Sequence, residues 1–416
     1  MSVKPDQSVT EPPLAGVRVL EVGNYMAGPF CGMQLADLGA DVIKIEAPVG
    51  GDMVRASAPF LNGESSNFVR LNRNKRSVAL DLKDPRGKDV FRRLARTADV
   101  VVENLRPGAM ARLGLDYQRL SQLNPRLVYV AASGWGQDGP LAQLAGLDIM
   151  AQARSGLMSI TGEPDGGPVK VGVPICDLVC ALYGALAAVA ALAARERTGA
   201  GQLIDVSLFE SGISLGVWEA GKYFASGEVP GRLGSAHQNS APYQAICAQN
   251  GWFTVGATSP ATWQGFCRAL GLERLERDPR YADVNDRFRN RPALIAEIEA
   301  ITTKQPVEYW IERLEREGVP CAPIQDFGQS FNDPHLAARD FFWDAPHPRL
   351  GKVRQLGSPM RFSATRVRRA KAGPLLGEDT RAVLCEVGCT ESEIDDLLAA
   401  GVAAAADDAR SRRAGA

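Results

Sequence analysis

Asp177 closes the segment Val171-Gly-Val-Pro-Ile-Cys-Asp177 and stands directly before Leu178 to Ala194, where nearly every residue is apolar. A carboxylate at the mouth of an apolar helix is either a helix cap or a nucleophile held partly out of water. Pro174 forces an extended approach, which puts Asp177 where an N-cap belongs. The apolar run is too continuous for a surface helix and suits a core position, and it stops at Arg195-Glu-Arg-Thr-Gly199. A second carboxylate, Asp148 in Gly146-Leu-Asp-Ile-Met-Ala-Gln152, also precedes a helical stretch. It is open to the same two readings. Two acids near helix starts can do acid–base or nucleophilic chemistry, though spacing alone does not bring them together.

Two further signals concern ligands. Arg70, Arg73, Lys75 and Arg76 fall within seven residues, with Lys83, Arg106 and Arg112 following near strand ends. Such cations are either a solvated basic face or a site for a phosphorylated ligand, to which Arg and Lys give charge-assisted bonds. The turn Gly23-Asn-Tyr-Met-Ala-Gly28 lacks the G-x-G-x-x-G spacing by which a backbone approaches a dinucleotide's pyrophosphate, and Tyr25 and Met26 are bulky. Glu46 lies near where a ribose-binding acid would fall, so a nicotinamide-dependent oxidoreductase stays as a distant alternative.

The elements that must position these residues alternate strand and helix. Strands are expected at Val17–Val22, Asp41–Glu46, Ser77–Lys83, Val100–Asn104 and Arg126–Ala132, with helices at Pro29–Leu38 and Pro85–Thr97 and a helical stretch to Leu123. This rhythm implies a parallel sheet covered by helices, with ligands beyond the carboxyl ends of its strands. Gly201–Ser207 reads as a further strand, and Tyr243–Cys247 with Trp252–Ala257 as a hairpin across Gln249-Asn-Gly251. The division expected is 14–208 as the first part of a large domain, 209–235 as a linker helix and 236–325 as a small domain. A return segment, 326–400, completes the large domain, and 401–416 is a disordered tail.

The 416 residues suffice for a large core, and a net charge of -1 argues against nucleic acid or a membrane surface as partner. Eight Cys without a C-x-x-C pair and only three His disfavour a zinc site or disulfide scaffold. Met1 to Pro13 lacks the apolar core of a signal peptide, and the 178–194 run is slightly short for a membrane span. A protein of the reducing cytoplasm is expected.

Taken in order, several segments resemble the class III CoA-transferases, the family of formyl-CoA transferase, carnitine-CoA transferase and α-methylacyl-CoA racemase. They include Leu14-Ala-Gly-Val-Arg-Val-Leu20, Leu38-Gly-Ala-Asp-Val-Ile-Lys-Ile-Glu46, Gly51-Asp52, Asn74-Lys-Arg-Ser77, Leu80-Asp-Leu-Lys83, Val102-Glu-Asn-Leu-Arg-Pro-Gly108, Gly199-Ala-Gly-Gln202 and Ala241-Pro-Tyr-Gln244. By that resemblance Asp177 matches the family's aspartate nucleophile. Met26, Ala27, Leu80, Asp81, Leu82, Lys83, Asn104, Leu105, Arg106 and Arg112 match positions that hold CoA, and Asp148 an acidic position beside the thioester. The resemblance implies an α/β fold with a Rossmann-like parallel-sheet large domain, a smaller α+β domain, and a homodimer of two interlocked chains. Some members have Gln where Met26 stands and Arg where Ala47 stands. The family's racemases place a His where Leu147 is found.

The activity implied is movement of CoA from an acyl-CoA to a free carboxylic acid, through an aspartyl anhydride and an aspartyl-CoA thioester. CoA thioester is then a substrate, and no bound cofactor or metal is expected. Backbone N–H groups near the helix start and a mobile Gly-containing loop are expected to stabilise the oxyanions. An isomerase on the same fold, either a racemase or an intramolecular CoA mover, is the alternative.

Overall fold

The computed structural model describes residues 11–406. The chain forms two compact units. The first comprises residues up to Leu157, Val171–Val217 and the chain from Ala337 onward, and the second comprises Met158–Lys170 and Trp218–Leu336.

The first unit is built on β1 (Arg18–Val22), α1 (Ala27–Asp37), β2 (Asp41–Glu46), β3 (Arg76–Leu80), α2 (Pro85–Thr97), β4 (Val100–Glu103) and β5 (Val128–Ser133). It continues with α3 (Asp148–Arg154), α4 (Ile175–Thr198), β6 (Leu203–Ser207), α5 (Leu208–Ser214) and β7 (Ala403–Ala404). The sheet order is β7-β3-β2-β1-β4-β5-β6. Strands β1 to β6 are parallel, with Val19 opposite both Val42 and Val100. Alternation along the strands explains the two-sided burial. Val19, Val42 and Val100 pack under α1 and α4, while Leu20, Ile43 and Val101 face Phe91 and Leu94 of α2. Val383 and Leu384 of the C-terminal stretch join the second of these cores.

The chain runs outward from β1 to β3 and then returns to β4 beside β1. That reversal is the switch point at which open α/β sheets bind ligands.

Two expectations are corrected here. The tail does not fray from 401, because Ala403 and Ala404 pair antiparallel with Leu80 and Ala79. Their small side chains, almost fully buried, cover an otherwise open sheet edge. Residues 407–416 of that expected tail lie outside the described residues. Helix α4 is also not a fully buried core helix. It is long and apolar enough to cross a membrane by length and composition. Ala181, Ala185 and Ala188 pack on the sheet, but Leu182, Tyr183 and Leu186 on its other side are exposed. Small residues set close approach on one face, and large apolar ones line the other.

In the second unit, Tyr243–Ala248 and Gly251–Gly256 form the expected hairpin, extended by Cys321–Pro323. Phe253, Phe266, Leu294 and Leu314 centre its own core.

Candidate active site

Asp177 is the third residue of α4, and Pro174 occupies the N-cap. The expectation that Asp177 caps its own helix is therefore corrected. The capping oxygen comes from Asp148, the first residue of α3. The Cys176 N–H donates to Asp148 Oδ1 at 2.9 Å, and the Asp177 N–H reaches the same oxygen at 3.4 Å. Gln152, one helical turn after Asp148, donates from Nε2 to Asp148 Oδ2 at 2.6 Å and accepts the Val171 N–H at 2.8 Å. Asp148 thus ties α3, α4 and the approach to α4 together. Its cap frees the Asp177 carboxylate, which makes no hydrogen bond or ion pair among the described residues.

Burial, and then the facing charge of Asp148, push the Asp177 carboxyl up to about 7. A carboxylate so placed is poorly solvated and uncommitted, as a nucleophile must be. The expected oxyanion donors at this helix start are already engaged. Ile175 N–H goes to Val173 O and Leu178 N–H to Pro174 O, while those of Cys176 and Asp177 go to Asp148.

The switch point carries a cavity of about 280 Å³. Leu80, Asp81, Leu82, Lys83 and Leu105 line it, as the resemblance implied, along with Gly23, Asn24, Ile45 and Leu113. The lining is mixed: apolar side chains share it with the carboxylates of Glu46, Asp52 and Asp81 and one cation, Lys83. Met26, Ala27 and Asn104 are not among its lining residues. The Asn104 side chain accepts the Asn24 N–H and donates to the Asn24 carbonyl, both at 2.9 Å. Asn104 therefore fixes the turn after β1. A Cβ at Gly28 would lie 2.8 Å from Asn104 Oδ1, so this glycine makes room for a side chain, not for a pyrophosphate. Ala27 at the far end of the turn is buried with Cys176 and Cys180 of α4. One turn thus runs from the cavity to the helix of Asp177.

Arg106 and Arg112 are exposed beyond β4 and do not line the cavity, although Leu113 does. Among the described residues, Lys83, Arg106 and Arg112 pair with no carboxylate. The cluster Arg70 to Arg76 is different, and for Arg73, Lys75 and Arg76 neither expectation holds. Arg73 is buried against Asp37 at 2.6 Å, Lys75 is buried against Glu21 at 2.6 Å, and Arg76 bridges Asp41 and Glu386. Glu46 is likewise no ribose acid. It grips the Arg55 guanidinium through Nε at 2.6 Å and Nη2 at 2.7 Å, and Arg55 with other neighbours overcomes burial to hold its carboxyl down near 2.

Sequence reading missed Gln152, Ile45, Leu113 and Glu103. The i, i+4 spacing from Asp148 is the signal that marks Gln152. Glu103, at the end of β4, is pushed up to about 7 by burial and accepts the Leu105 N–H at 2.7 Å, steadying one wall of the cavity.

A doubly wound sheet with a cavity at its switch point and a carboxylate pair at a helix start is the architecture of an α/β enzyme. The chain belongs to CoA-transferase family III, whose model matches residues 14–380, and it is accordingly a class III CoA-transferase. It is 38% identical over 392 residues to a mouse (Mus musculus) succinyl-CoA:glutarate CoA-transferase, covering 94% of this chain and 90% of the relative. An Acetobacter aceti acetyl-CoA:oxalate CoA-transferase is 36% identical over 383 residues, covering 92% and 97%. A CAIB/BAIF family protein from Brucella suis superposes with a TM-score of 0.82 at 37% identity, over 91% of this chain and all of that one.

Proposed function

We propose that this enzyme moves CoA between short dicarboxylic acids through covalent chemistry at Asp177. The observation that carries the reading is the Asp177 carboxylate itself, freed of hydrogen bonds and held near neutrality by burial and Asp148. The acids are inferred from relatives named for succinate, glutarate, oxalate and mesaconate.

Ionised Asp177 attacks the thioester carbonyl and expels CoA thiolate, leaving a mixed anhydride. The thiolate attacks the aspartyl carbon of that anhydride and releases the donor acid, leaving an aspartyl-CoA thioester. The acceptor carboxylate attacks this thioester, and the released thiolate then takes the acceptor acyl group and restores Asp177. A carboxylate acceptor is a weak nucleophile, so splitting one exchange into anhydride and thioester steps lowers each barrier. The cavity and the turn Gly23–Gly28 hold the nucleotide end, with Lys83, Arg106 and Arg112 supplying charge to its phosphates. The exposed face of Leu182, Tyr183 and Leu186 supports closure against a second copy in an interlocked homodimer. The cytoplasm is the proposed compartment.

An acyl-CoA and acid panel read by mass spectrometry tests this. Hydroxylamine added with acyl-CoA alone should leave a hydroxamate on the peptide containing Asp177. An unmodified peptide during good turnover counts against the route. The racemase alternative is tested in deuterated water. Leu147 stands where such enzymes hold a base, so uptake beside the thioester of a 2-methylacyl-CoA should be negligible.

A further inference from the structure

The turn Gly23–Gly28 rests on four buried charges that the transfer chemistry does not use. Glu21, Lys44, Lys75 and Asp52 are at most 1% exposed. Lys44 Nζ lies 2.6 Å from Glu21 Oε1, 2.9 Å from Asp52 Oδ2 and 2.8 Å from the Gly23 carbonyl oxygen, to which it donates. Asp52 Oδ1 accepts the Tyr25 N–H at 3.2 Å and the Val54 N–H at 3.0 Å. Lys75 Nζ lies 2.6 Å from Glu21 Oε2 and donates to the Pro29 carbonyl at 2.7 Å. The turn is therefore gripped at its first carbonyl, in its middle and just past its end.

Its middle needs gripping. Tyr25 has φ 63°, a left-handed conformation costly for a bulky residue and sustained only where surroundings dictate it. Its side chain is 52% exposed, so packing of the ring does not hold it there. Burying two ammoniums and two carboxylates is no efficient route to stability, since well-packed apolar residues often do as well. What such a network does supply is direction, because it offers a donor or an acceptor at fixed points. The motif residues Lys44 and Gly51-Asp52 thereby acquire a physical role. A Cβ at Gly51 would lie 2.8 Å from Glu46 Oε2, and the Asp52 N–H donates to that oxygen at 3.0 Å, which fixes how Asp52 enters the network.

We infer that Lys44 and Asp52 are positioning residues for CoA, holding the turn around Tyr25 in the shape that receives the thioester substrate. The inference rests on the CoA reading of that turn. Preorganisation of this kind appears in ground-state binding more than in the chemical step.

The test uses the whole chain with Asp52→Ala and Asp52→Asn. CoA affinity is measured by calorimetry, acyl-CoA KM and kcat by steady-state rates, and folding by thermal melting. Asp52→Ala should weaken CoA binding and raise KM about tenfold, with kcat within about threefold of wild type. Asp52→Asn keeps an acceptor for both N–H groups and should recover most, but not all, of that loss. If Asp52→Ala does not fold, Asp52→Asn decides: weakening of about twofold or more supports the role, and wild-type affinity overturns it. Folded variants with unchanged CoA affinity, equal losses in kcat and KM, or misfolding of both overturn the positioning role. A wild-type protein that binds no CoA overturns the CoA reading itself.

Discussion

Asp148 and Asp177 face each other across a shared helix start, the oxygen of one capping the backbone of the other. Asp148 Oδ1 takes the Cys176 and Asp177 N–H groups, and its charge adds to burial in raising the Asp177 carboxyl. Asp148 thus caps the start of the Asp177 helix and adds to the burial that raises the Asp177 carboxyl. Cap and charge can be separated by substitution.

Asp148→Asn keeps an acceptor but removes the charge. Activity in wild type should fall as pH drops through about 7, because the proposed route requires Asp177 ionised. In the variant the acid limb of kcat/KM should move to lower pH. A pH–rate series reads this, and an unmoved limb would remove Asp148 from the electrostatics of the site.

Asp177→Asn should abolish transfer while leaving CoA affinity near wild type. It should also stabilise the fold at pH 8. The folded carboxyl, raised to about 7 from 3.8, binds more protons than the unfolded one between those values, so wild-type stability falls as pH rises through that window. The amide escapes this penalty, by on the order of 4 kcal/mol at pH 8 and by less than about 1 kcal/mol near pH 4. Denaturant titrations at the two pH values check it. Equal stabilities at pH 8 would mean that Asp177 is well solvated.

Lys83→Ala and Arg112→Ala should raise acyl-CoA KM several-fold and change kcat little, since phosphate contacts persist from ground to transition state. Neither cation is paired with a carboxylate among the described residues, so stability should hold. Unchanged KM in both variants would place the phosphates elsewhere.

Arg73→Ala should behave in the opposite way. It strands the buried Asp37 carboxylate, which lies 2.6 Å from the guanidinium, and should cost about 3–5 kcal/mol of stability. Under conditions where the variant is folded, its KM for acyl-CoA should match wild type. A specific rise in KM without loss of stability would return this cluster to the ligand.

The strand–helix rhythm and the doubly wound sheet were legible in the sequence because they rest on local matters. Short continuous apolar runs such as Val19-Leu20 and Val42-Ile43 state which residues lie on strands buried on both faces, and a run of matching short segments states the family. Cations were illegible. Lys83 and Lys75 look alike in the chain, yet Lys83 lines the cavity rim while Lys75 lies fully buried on Glu21. Only tertiary structure supplies the carboxylate that turns a basic cluster into a scaffold. Likewise an aspartate before an apolar helix reads as that helix's own cap, because the sequence shows neighbours along the chain alone. Asp148, 28 residues from Cys176, took that hydrogen bond across space. Hydrogen bonds and buried ion pairs depend on ångström-scale placement between distant segments, and that placement is set when the sheet brings β1, β2 and β4 side by side.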